Sequence, residues 1–349
     1  MKRLYTLIAM SVGIALLVSS CSKDDEDKGP QSQATVTLLT TPNGLGDNGY
    51  NDQAAHGFFD FCQATGVRHR LLLPENAIQA EEMYVKWLKD NAETDSAVLI
   101  LGSSEYEQMA RVHPATLKGK GSRVLLFETN REVPGIHTVC VNHYGVSYLC
   151  GAMVQDNNAF ILAATRGVPS LEDAIQGFSD GYKAHVQEGH TLEVKYLYEG
   201  EVSFAMPDSA FRLVSERIER DLFSFEAIFP LLGGSTIGAI KAVNYSQFYC
   251  GFIIGMDVNQ NQMSGLIPFS MLVYIDKVLK NYLSDWFYGK EWPSTQSLGL
   301  REGATDIIIN ENYKRGLPEG FPWLDPQEYY NLYTQYRKEA ERKEAEYER

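Results

Sequence analysis

The chain has 349 residues, with 45 Asp or Glu against 31 Lys or Arg and a formal net charge of −14. This acidic balance argues against nucleic acid as a partner and against charge-driven attachment to an anionic membrane, because both need a basic surface. The length is sufficient for two lobes of ordinary domain size.

The N-terminal residues 1–20 have the pattern of a lipoprotein signal peptide. Lys2 and Arg3 form a positive head, and the apolar run 7–18 is too short for a comfortable membrane span. The sequence Leu-Val-Ser-Ser-Cys that ends at Cys21 resembles a lipobox. We expect cleavage before Cys21 and lipidation of its thiol; the alternative is a generic signal peptide followed by a chance cysteine.

Residues 21–33 are predicted to be a lipidated, acidic tether. Four acidic residues at positions 24–27 lie directly behind the lipidation site. They resemble the tag that directs some Gram-negative lipoproteins to the outer face of the outer membrane. We therefore expect an anchor in the cell envelope, with the outer-membrane surface favoured over the periplasmic face. The alternative is a solvated tether without a sorting role.

The remaining sequence alternates β-rich apolar segments with segments of helical spacing, which predicts α/β lobes with parallel sheets. The predicted strands are Thr35–Leu39, Arg68–Leu73, Ala97–Leu101, Arg123–Phe127, Thr138–Val141, Phe160–Ala164, Leu192–Leu197, Ala227–Leu231, Phe252–Met256 and Asp306–Ile309. The predicted helices include Ala80–Asn91, Leu171–Gln187, Pro207–Asp221 and Pro268–Tyr288.

The strand series divides near residue 150. We expect one lobe over 34–150 with part of 258–295, and a second over 151–257 with part of 296–324. Residues 325–349 are rich in tyrosine and then alternate Lys, Arg and Glu. This pattern predicts a charged C-terminal helix with a solvated end, or alternatively an arm that binds a partner.

Residues 44–58, with the sequence GLGDNGYNDQAAHGF, connect the first predicted strand to a predicted helix. Ligands of open α/β sheets collect in loops of this kind, beyond the carboxyl ends of the strands. Free backbone N–H groups at the helix start favour acceptors, while the side chains of Asp47, Asn51 and Asp52 accept hydrogen bonds. The loop therefore predicts a site for a small polar molecule.

Signatures of catalysis and of metal binding are missing from the sequence, so we predict a protein that is not an enzyme and that has no cofactor or metal. The segment 233–238, GGSTIG, is neither a nucleophile elbow nor a dinucleotide fingerprint. Gly233 is predicted either to present backbone amides to a ligand or to form a tight turn only.

Cys62 and Cys250 are expected to be buried thiols, and Cys140 and Cys150 form the nearest candidate pair for a disulfide.

Five segments together resemble the basic membrane protein family, whose members include substrate-binding lipoproteins of purine-nucleoside importers. The motif D-x-S-F-N-x-x-A-x-x-G of that family is similar to residues 47–57, and its strand-end motif G-x-D-x-D-Q is similar to residues 255–260. The other similar segments are 228–234, 147–151, and a hairpin motif over 298–303. The resemblance implies an α/β type I periplasmic-binding fold with two doubly wound, mainly parallel lobes joined by a hinge.

The resemblance also implies a ligand site between the lobes. In it, Asp257 accepts hydrogen bonds from ribose hydroxyls, Asp47 and Asn51 read the base edge, and Tyr50 or Phe204 stacks on the base. Alternatively, either ring packs only within its own loop. The sequence departs from the family pattern at Asn259, at residues 143–146 and at Val273, where the family commonly carries a helical lysine.

The predicted function is capture of a small polar ligand, with a purine nucleoside favoured, for uptake by an ABC permease. The departures leave room for a different ligand. The alternative is a surface lipoprotein that senses a sugar or another metabolite together with a receptor or sensor. In both cases the protein is expected to be a monomer attached to the membrane through its lipid alone.

Overall fold

The structure is a computed structural model that describes residues 34–47, 49–115, 123–155, 157–198, 204–220, 225–246, 249–313 and 324–347. The predicted signal peptide, the lipidation site Cys21 and the acidic tether lie outside these residues. Within the described part, no helix combines the length and the apolar character that crossing a bilayer requires.

The first lobe is built on a six-stranded parallel sheet with the order β11-β5-β4-β3-β1-β2. Its strands are β1 (Thr35–Leu39), β2 (Arg68–Leu72), β3 (Ala97–Leu101), β4 (Val124–Phe127), β5 (His137–Val141) and β11 (Thr295–Leu298). Its helices are α1 (Tyr50–Thr65), α2 (Ala77–Asp90), α3 (Glu107–Val112) and α8 (Ile275–Phe287), and α8 packs on α1. The central strands are buried along their whole length, which explains their continuous apolar sequences.

The second lobe is built on a four-stranded parallel sheet with the order β7-β6-β8-β9. Its strands are β6 (Asn158–Ala163), β7 (Leu192–Tyr196), β8 (Glu226–Leu231) and β9 (Phe252–Ile253). The helices that belong to it are α5 (Pro169–His185), α6 (Pro207–Arg220) and α7 (Thr236–Tyr245). The two lobes with mainly parallel sheets confirm the predicted fold class.

The chain passes between the two sheets more than once. Helix α4 (Tyr144–Ala152) leads from β5 to β6, and the chain returns to the first sheet at β11. A small antiparallel pair, β10 (Phe269–Val273) with β12 (Thr305–Ile309), packs against α4. Helix α9 (Pro326–Tyr347) packs on α4 and β12.

Helices α4 and α5 approach so closely that their backbones touch. A Cβ atom at Gly151 of α4 would overlap the carbonyl oxygen of Phe178 in α5. In the opposite direction, a Cβ atom at Gly181 of α5 would overlap the carbonyl oxygen of Tyr148 in α4. Because both positions are glycine, α4, which leads from the first sheet to the second, packs directly on α5 of the second lobe.

All ten predicted strands have a counterpart, but β10 and β11 were not predicted. The predicted helix Pro268–Tyr288 is wrong in its first part, because residues 269–273 form β10 and only α8 is helical. The sequence FSMLV is apolar apart from Ser270, and a short, mostly apolar run does not distinguish a strand from a buried helix. Residues 269–273 form a strand because they pair with β12.

The other differences concern the connections. The motif at 298–303 is not a hairpin, because the strands β11 and β12 that flank it belong to different sheets. Residues 295–298 lie in the first sheet, and the assignment of part of 296–324 to the second lobe stays a prediction. The segment at Val273 that was expected to be helical is the end of β10.

The cysteines and the C-terminal helix also bear on the predictions. Cys62, Cys140, Cys150 and Cys250 are buried thiols, so the alternative of a disulfide between Cys140 and Cys150 is wrong for this structure.

The C-terminal helix is present as α9, but its end is not simply solvated. Glu344, in its last turns, is buried against the crossing segments.

Candidate functional site

A cavity of about 390 Å³ lies at the carboxyl ends of strands from both sheets. Residues that follow β1, β3, β4 and β5 form its wall in the first lobe, and residues that follow β6, β7 and β8 form its wall in the second. The lining includes all six residues that the sequence predicts for the site: Asp47, Tyr50, Asn51, Phe204, Gly233 and Asp257. The fold therefore brings together residues that are up to about two hundred positions apart in the sequence.

The Asp47 carboxylate caps the start of α1. It accepts hydrogen bonds from the backbone N–H groups of Gly49 at 2.9 Å, Asn51 at 2.9 Å and Asp52 at 3.2 Å. Burial raises the pKa of Asp47, while these hydrogen bonds act in the opposite direction. Asp47 thus has a structural task at the site, in addition to lining the cavity.

The Asn51 side chain is buried and fixes the glycine-rich loop. Its Nδ2 donates to Thr41 Oγ1 at 2.9 Å and to the Gly44 carbonyl at 2.8 Å, and its Oδ1 accepts from the Thr41 N–H at 3.3 Å. Both amide protons are therefore used inside the loop. This geometry makes Asn51 a positioning residue, which differs from the predicted role of reading a base edge.

Asp257 lies just beyond β9, in the segment that leads from the second sheet to β10, and has a left-handed backbone at φ 64°. Its carbonyl oxygen accepts a hydrogen bond from Gln53 Nε2 at 3.1 Å, which connects this segment to α1. Burial raises the pKa of the Asp257 carboxyl to about 7, and the charge of Asp47 raises it further in the same direction. Asp257 is therefore a carboxyl group that is costly to ionise when the cavity is empty.

Glu128 follows β4 directly and was missed by the sequence analysis. It has a left-handed backbone at φ 64°, its residue is 6% exposed, and its Oε1 has no hydrogen-bond partner among the described residues. Burial raises the pKa of Glu128 to about 8. The Val141 N–H and the Ser170 side chain lower it through hydrogen bonds to the carboxyl group, and the charges of Asp257 and Asp173 raise it.

The Tyr50 hydroxyl is the second buried group of this wall that has no hydrogen-bond partner within the described part of the chain. Burial raises the pKa of Tyr50 well above its usual value, and the charge of Glu128 is the next contribution. Orphaned polar groups are uncommon in native structures, so two of them in one cavity wall need an explanation.

His143, after β5, contributes a neutral imidazole. Its Nδ1 lies 2.7 Å from the carbonyl oxygen of Val141, and because a carbonyl only accepts, Nδ1 carries the proton. Burial lowers the pKa of His143 to about 4, so the ring stays neutral at physiological pH. Its Nε2 is then an acceptor.

The second lobe contributes Phe204 and a glycine turn after β8. Gly233 has φ +54°, and a Cβ atom there would lie 3.1 Å from the Phe204 ring, so both backbone and space favour glycine. A Cβ atom at the neighbouring Gly234 would lie 3.4 Å from Cβ of Asp47. The two lobes therefore approach each other closely at this edge of the cavity.

The residues that sequence reasoning missed share one position in the fold. Ser103, Glu128 and His143 follow β3, β4 and β5, at the same edge of the sheet as Asp47. The rule that directed attention to the loop after β1 also applies to these strand ends. Applying it to every predicted strand would have found them.

The described residues that line the cavity carry four carboxyl groups, on Asp47, Glu105, Glu128 and Asp257, and neither a lysine nor an arginine. In the part of the chain that the structure describes, no group of three or more His, Cys, Asp or Glu side chains is arranged to hold a metal ion. The Tyr50 and Phe204 rings provide apolar surface beside these acids.

No protein-family model and no curated protein matches the sequence. Solved structures are similar in fold. The solute-binding protein of an ABC transporter system from Aeropyrum pernix K1 is 17% identical, with a TM-score of 0.65 over 90% of this chain and 90% of that one. A transcriptional activator of the comK gene from Bacillus halodurans is 18% identical, with a TM-score of 0.61 over 87% and 96% of the two chains.

An ABC transporter periplasmic solute-binding protein from Actinobacillus succinogenes 130z was solved with bound D-allose. It is 13% identical, with a TM-score of 0.61 over 81% of this chain and 99% of its own. Identities this low show a shared fold and do not transfer a ligand. The chain has the two-lobed α/β fold of the periplasmic solute-binding proteins.

Proposed function

We propose that this protein is a solute-binding protein that captures a small polar ligand between its lobes and delivers it to an ABC permease. The observation that carries the proposal is the cavity of about 390 Å³ at the carboxyl ends of both parallel sheets. In its wall, buried oxygens of Glu128 and Tyr50 have no hydrogen-bond partner among the described residues. Cavities of this size hold small molecules, and open α/β sheets bind ligands at this edge. The fold shared with ABC solute-binding proteins supports the same role.

The favoured ligand is a purine nucleoside, as the resemblance to the basic membrane protein family implies. Tyr50 and Phe204 offer flat apolar surfaces on which a base can stack, and Asp257 offers a carboxylate for hydroxyl groups. A sugar is the second candidate, because one structural neighbour holds D-allose. A sugar also stacks on aromatic rings and presents many hydroxyl donors.

The test is a thermal-shift screen of the chain from residue 22 onward against inosine, guanosine, adenosine, their free bases and a set of monosaccharides. A ligand that binds the native state raises the melting temperature by mass action. We expect a shift with at least one nucleoside, and loss of that shift in Asp257→Ala. A shift with monosaccharides alone would replace the nucleoside by a sugar, and no shift with any compound would contradict a role in binding either class.

Capture without chemical change is part of the proposal. After incubation with the protein and denaturation, mass spectrometry is expected to recover the bound compound intact. Stoichiometric recovery of a cleaved product, such as a free base from a nucleoside, would instead identify an enzyme.

We further propose that Cys21 carries the lipid anchor and that the protein is displayed on the outer-membrane surface. The support is the signal-like segment 1–20 and the acidic residues 24–27. In cells, Cys21→Ser should abolish incorporation of a labelled fatty acid. Protease added to intact cells should degrade the wild-type protein, whereas protection until the outer membrane is permeabilised would indicate the periplasmic face.

A further inference from the structure

We propose that Glu128, together with Tyr50 and Asp257, forms a subsite for a protonated amine of the ligand. This inference rests on the proposed function, because it specifies the ligand class of the same cavity. The amine would belong to an amino sugar or to a nucleoside that carries an aliphatic amine.

The first argument is the unsatisfied acceptor. Glu128 is 6% exposed and lines the cavity, and its Oε1 has no hydrogen-bond partner among the residues that the structure describes. A buried polar oxygen without a hydrogen-bond partner costs free energy, and the cost is larger when the carboxyl group is ionised. A donor supplied by the ligand removes this cost.

The second argument is the backbone. Glu128 has φ 64°, a conformation that a residue with a long side chain rarely adopts. Strained backbone that persists in a folded protein is concentrated at functional sites. At Glu128 it occurs where β4 ends and the chain turns along the cavity.

The third argument is the neighbourhood of the carboxyl group. The Tyr50 hydroxyl is also buried and has no partner among the described residues, and its ring can lie against a cation. The charge of Asp257 acts on Glu128, and the charge of Asp47 acts on Asp257. A neutral hydroxyl donor would satisfy one oxygen but would leave the carboxyl group costly to ionise, because burial and the neighbouring acids disfavour its charged form. An ammonium group satisfies the oxygen and neutralises charge.

The experiment compares pairs of compounds in which one hydroxyl is replaced by an amine. Suitable pairs are D-galactose with D-galactosamine, D-glucose with D-glucosamine, and adenosine with 5′-amino-5′-deoxyadenosine. Dissociation constants are measured by isothermal titration calorimetry at a pH where the amines are protonated. In at least one pair, we expect the amine to bind about tenfold more tightly or better, because a charge-assisted hydrogen bond replaces a neutral one.

Glu128→Gln keeps the shape of the side chain and removes its charge. It should abolish the preference for the amine in that pair, measured as the ratio of the two dissociation constants for the same variant. Glu132→Gln, at an exposed position of the same segment, is the matched control and should keep the preference. If Glu128→Gln does not fold, Asp257→Asn serves as the second variant, with the same expected loss of preference.

Two results would overturn the subsite and leave the proposed function standing. One is equal or tighter binding of the hydroxyl member in every pair. The other is a thermal shift with calcium chloride alone, which would assign the carboxyl groups to a metal ion. Absence of binding by all these compounds, and by the nucleosides and sugars of the first screen, would instead overturn the proposed function and the subsite together.

Discussion

The carboxylate of Glu344, in the last turns of α9, accepts hydrogen bonds from the backbone N–H of Leu300 at 3.2 Å through Oε1 and 3.1 Å through Oε2. Leu300 follows β11 by two residues, where the chain leaves the first sheet. Glu344 is 2% exposed, so its charge is stabilised by N–H groups rather than by water. These hydrogen bonds hold the C-terminal helix against the segment that follows β11.

Replacing this carboxylate should destabilise the whole fold. Glu344→Ala leaves the buried Leu300 N–H without its acceptor and is expected to lower the free energy of unfolding by about 1–3 kcal/mol. Urea unfolding followed by circular dichroism measures the change. Glu346→Ala, on the exposed face of the same turn, is the control and should change little. Equal midpoints for the two variants would contradict the role of Glu344.

The contact between α4 and α5 should tolerate no side chain at Gly181. Gly181→Ala places a methyl group against the carbonyl oxygen of Tyr148, so the helices must separate. Overpacking of this kind typically costs about 1–3 kcal/mol, although alanine by itself favours a helix. Lys183→Ala, exposed on the same helix, is the control. A melting temperature for Gly181→Ala at or above that of the wild type would show that the two helices separate without cost.

Asp47 should affect stability as well as binding. Asp47→Ala removes the acceptor for the N–H groups of Gly49, Asn51 and Asp52 and should cost about 1 kcal/mol, as loss of a helix cap does. Asp60→Ala, at a half-exposed position of α1, removes exposed contacts with Lys280 at 3.4 Å and with His56 at 3.8 Å and is the control. Chemical denaturation distinguishes the two. A fully stable Asp47→Ala variant would restrict Asp47 to ligand contact.

The stability of the ligand-free protein should fall as pH rises from 6.5 to 8. The pKa of Glu128 is raised from 4.5 to about 8 and that of Asp257 from 3.8 to about 7, so the folded state holds protons that the unfolded state has released. Stability from such groups is fully present below the unfolded pKa and is lost as pH rises through the folded pKa. One group contributes a slope of at most about 1.4 kcal/mol per pH unit.

His143 does not oppose this slope. Its pKa is lowered from 6.5 to about 4, so its contribution is present above pH 6.5 and is lost only as pH falls below that value. Unfolding measured at several pH values should therefore show a shallower slope between pH 6.5 and 8 in Glu128→Gln than in the wild type. Identical slopes would mean that Glu128 titrates normally in the folded protein.

Local signals predicted much of the fold. The run Thr35–Leu39 is both the predicted and the observed first strand, and so is Ala97–Leu101, because a strand buried on both faces shows as a continuous β-branched and aliphatic run. The loop after the first strand was predicted as part of a site from its glycines and acids, and Asp47 and Tyr50 do line the cavity. The stretch Phe269–Val273 was misassigned, since its strand character depends on a partner more than thirty residues away.

The amino-acid sequence by itself determined the alternation of strands and helices, the two-lobed class and the strand-end position of the site, because these depend on periodicity and on residue types within short windows. The tertiary structure decided which groups face one another. It placed Glu128, Tyr50 and Asp257 in the wall of one cavity, used the Asn51 amide to fix a loop, and buried Glu344 against Leu300. Burial and the distances between charges set the free-energy cost of ionising each carboxyl group. Both arise only when distant segments pack together.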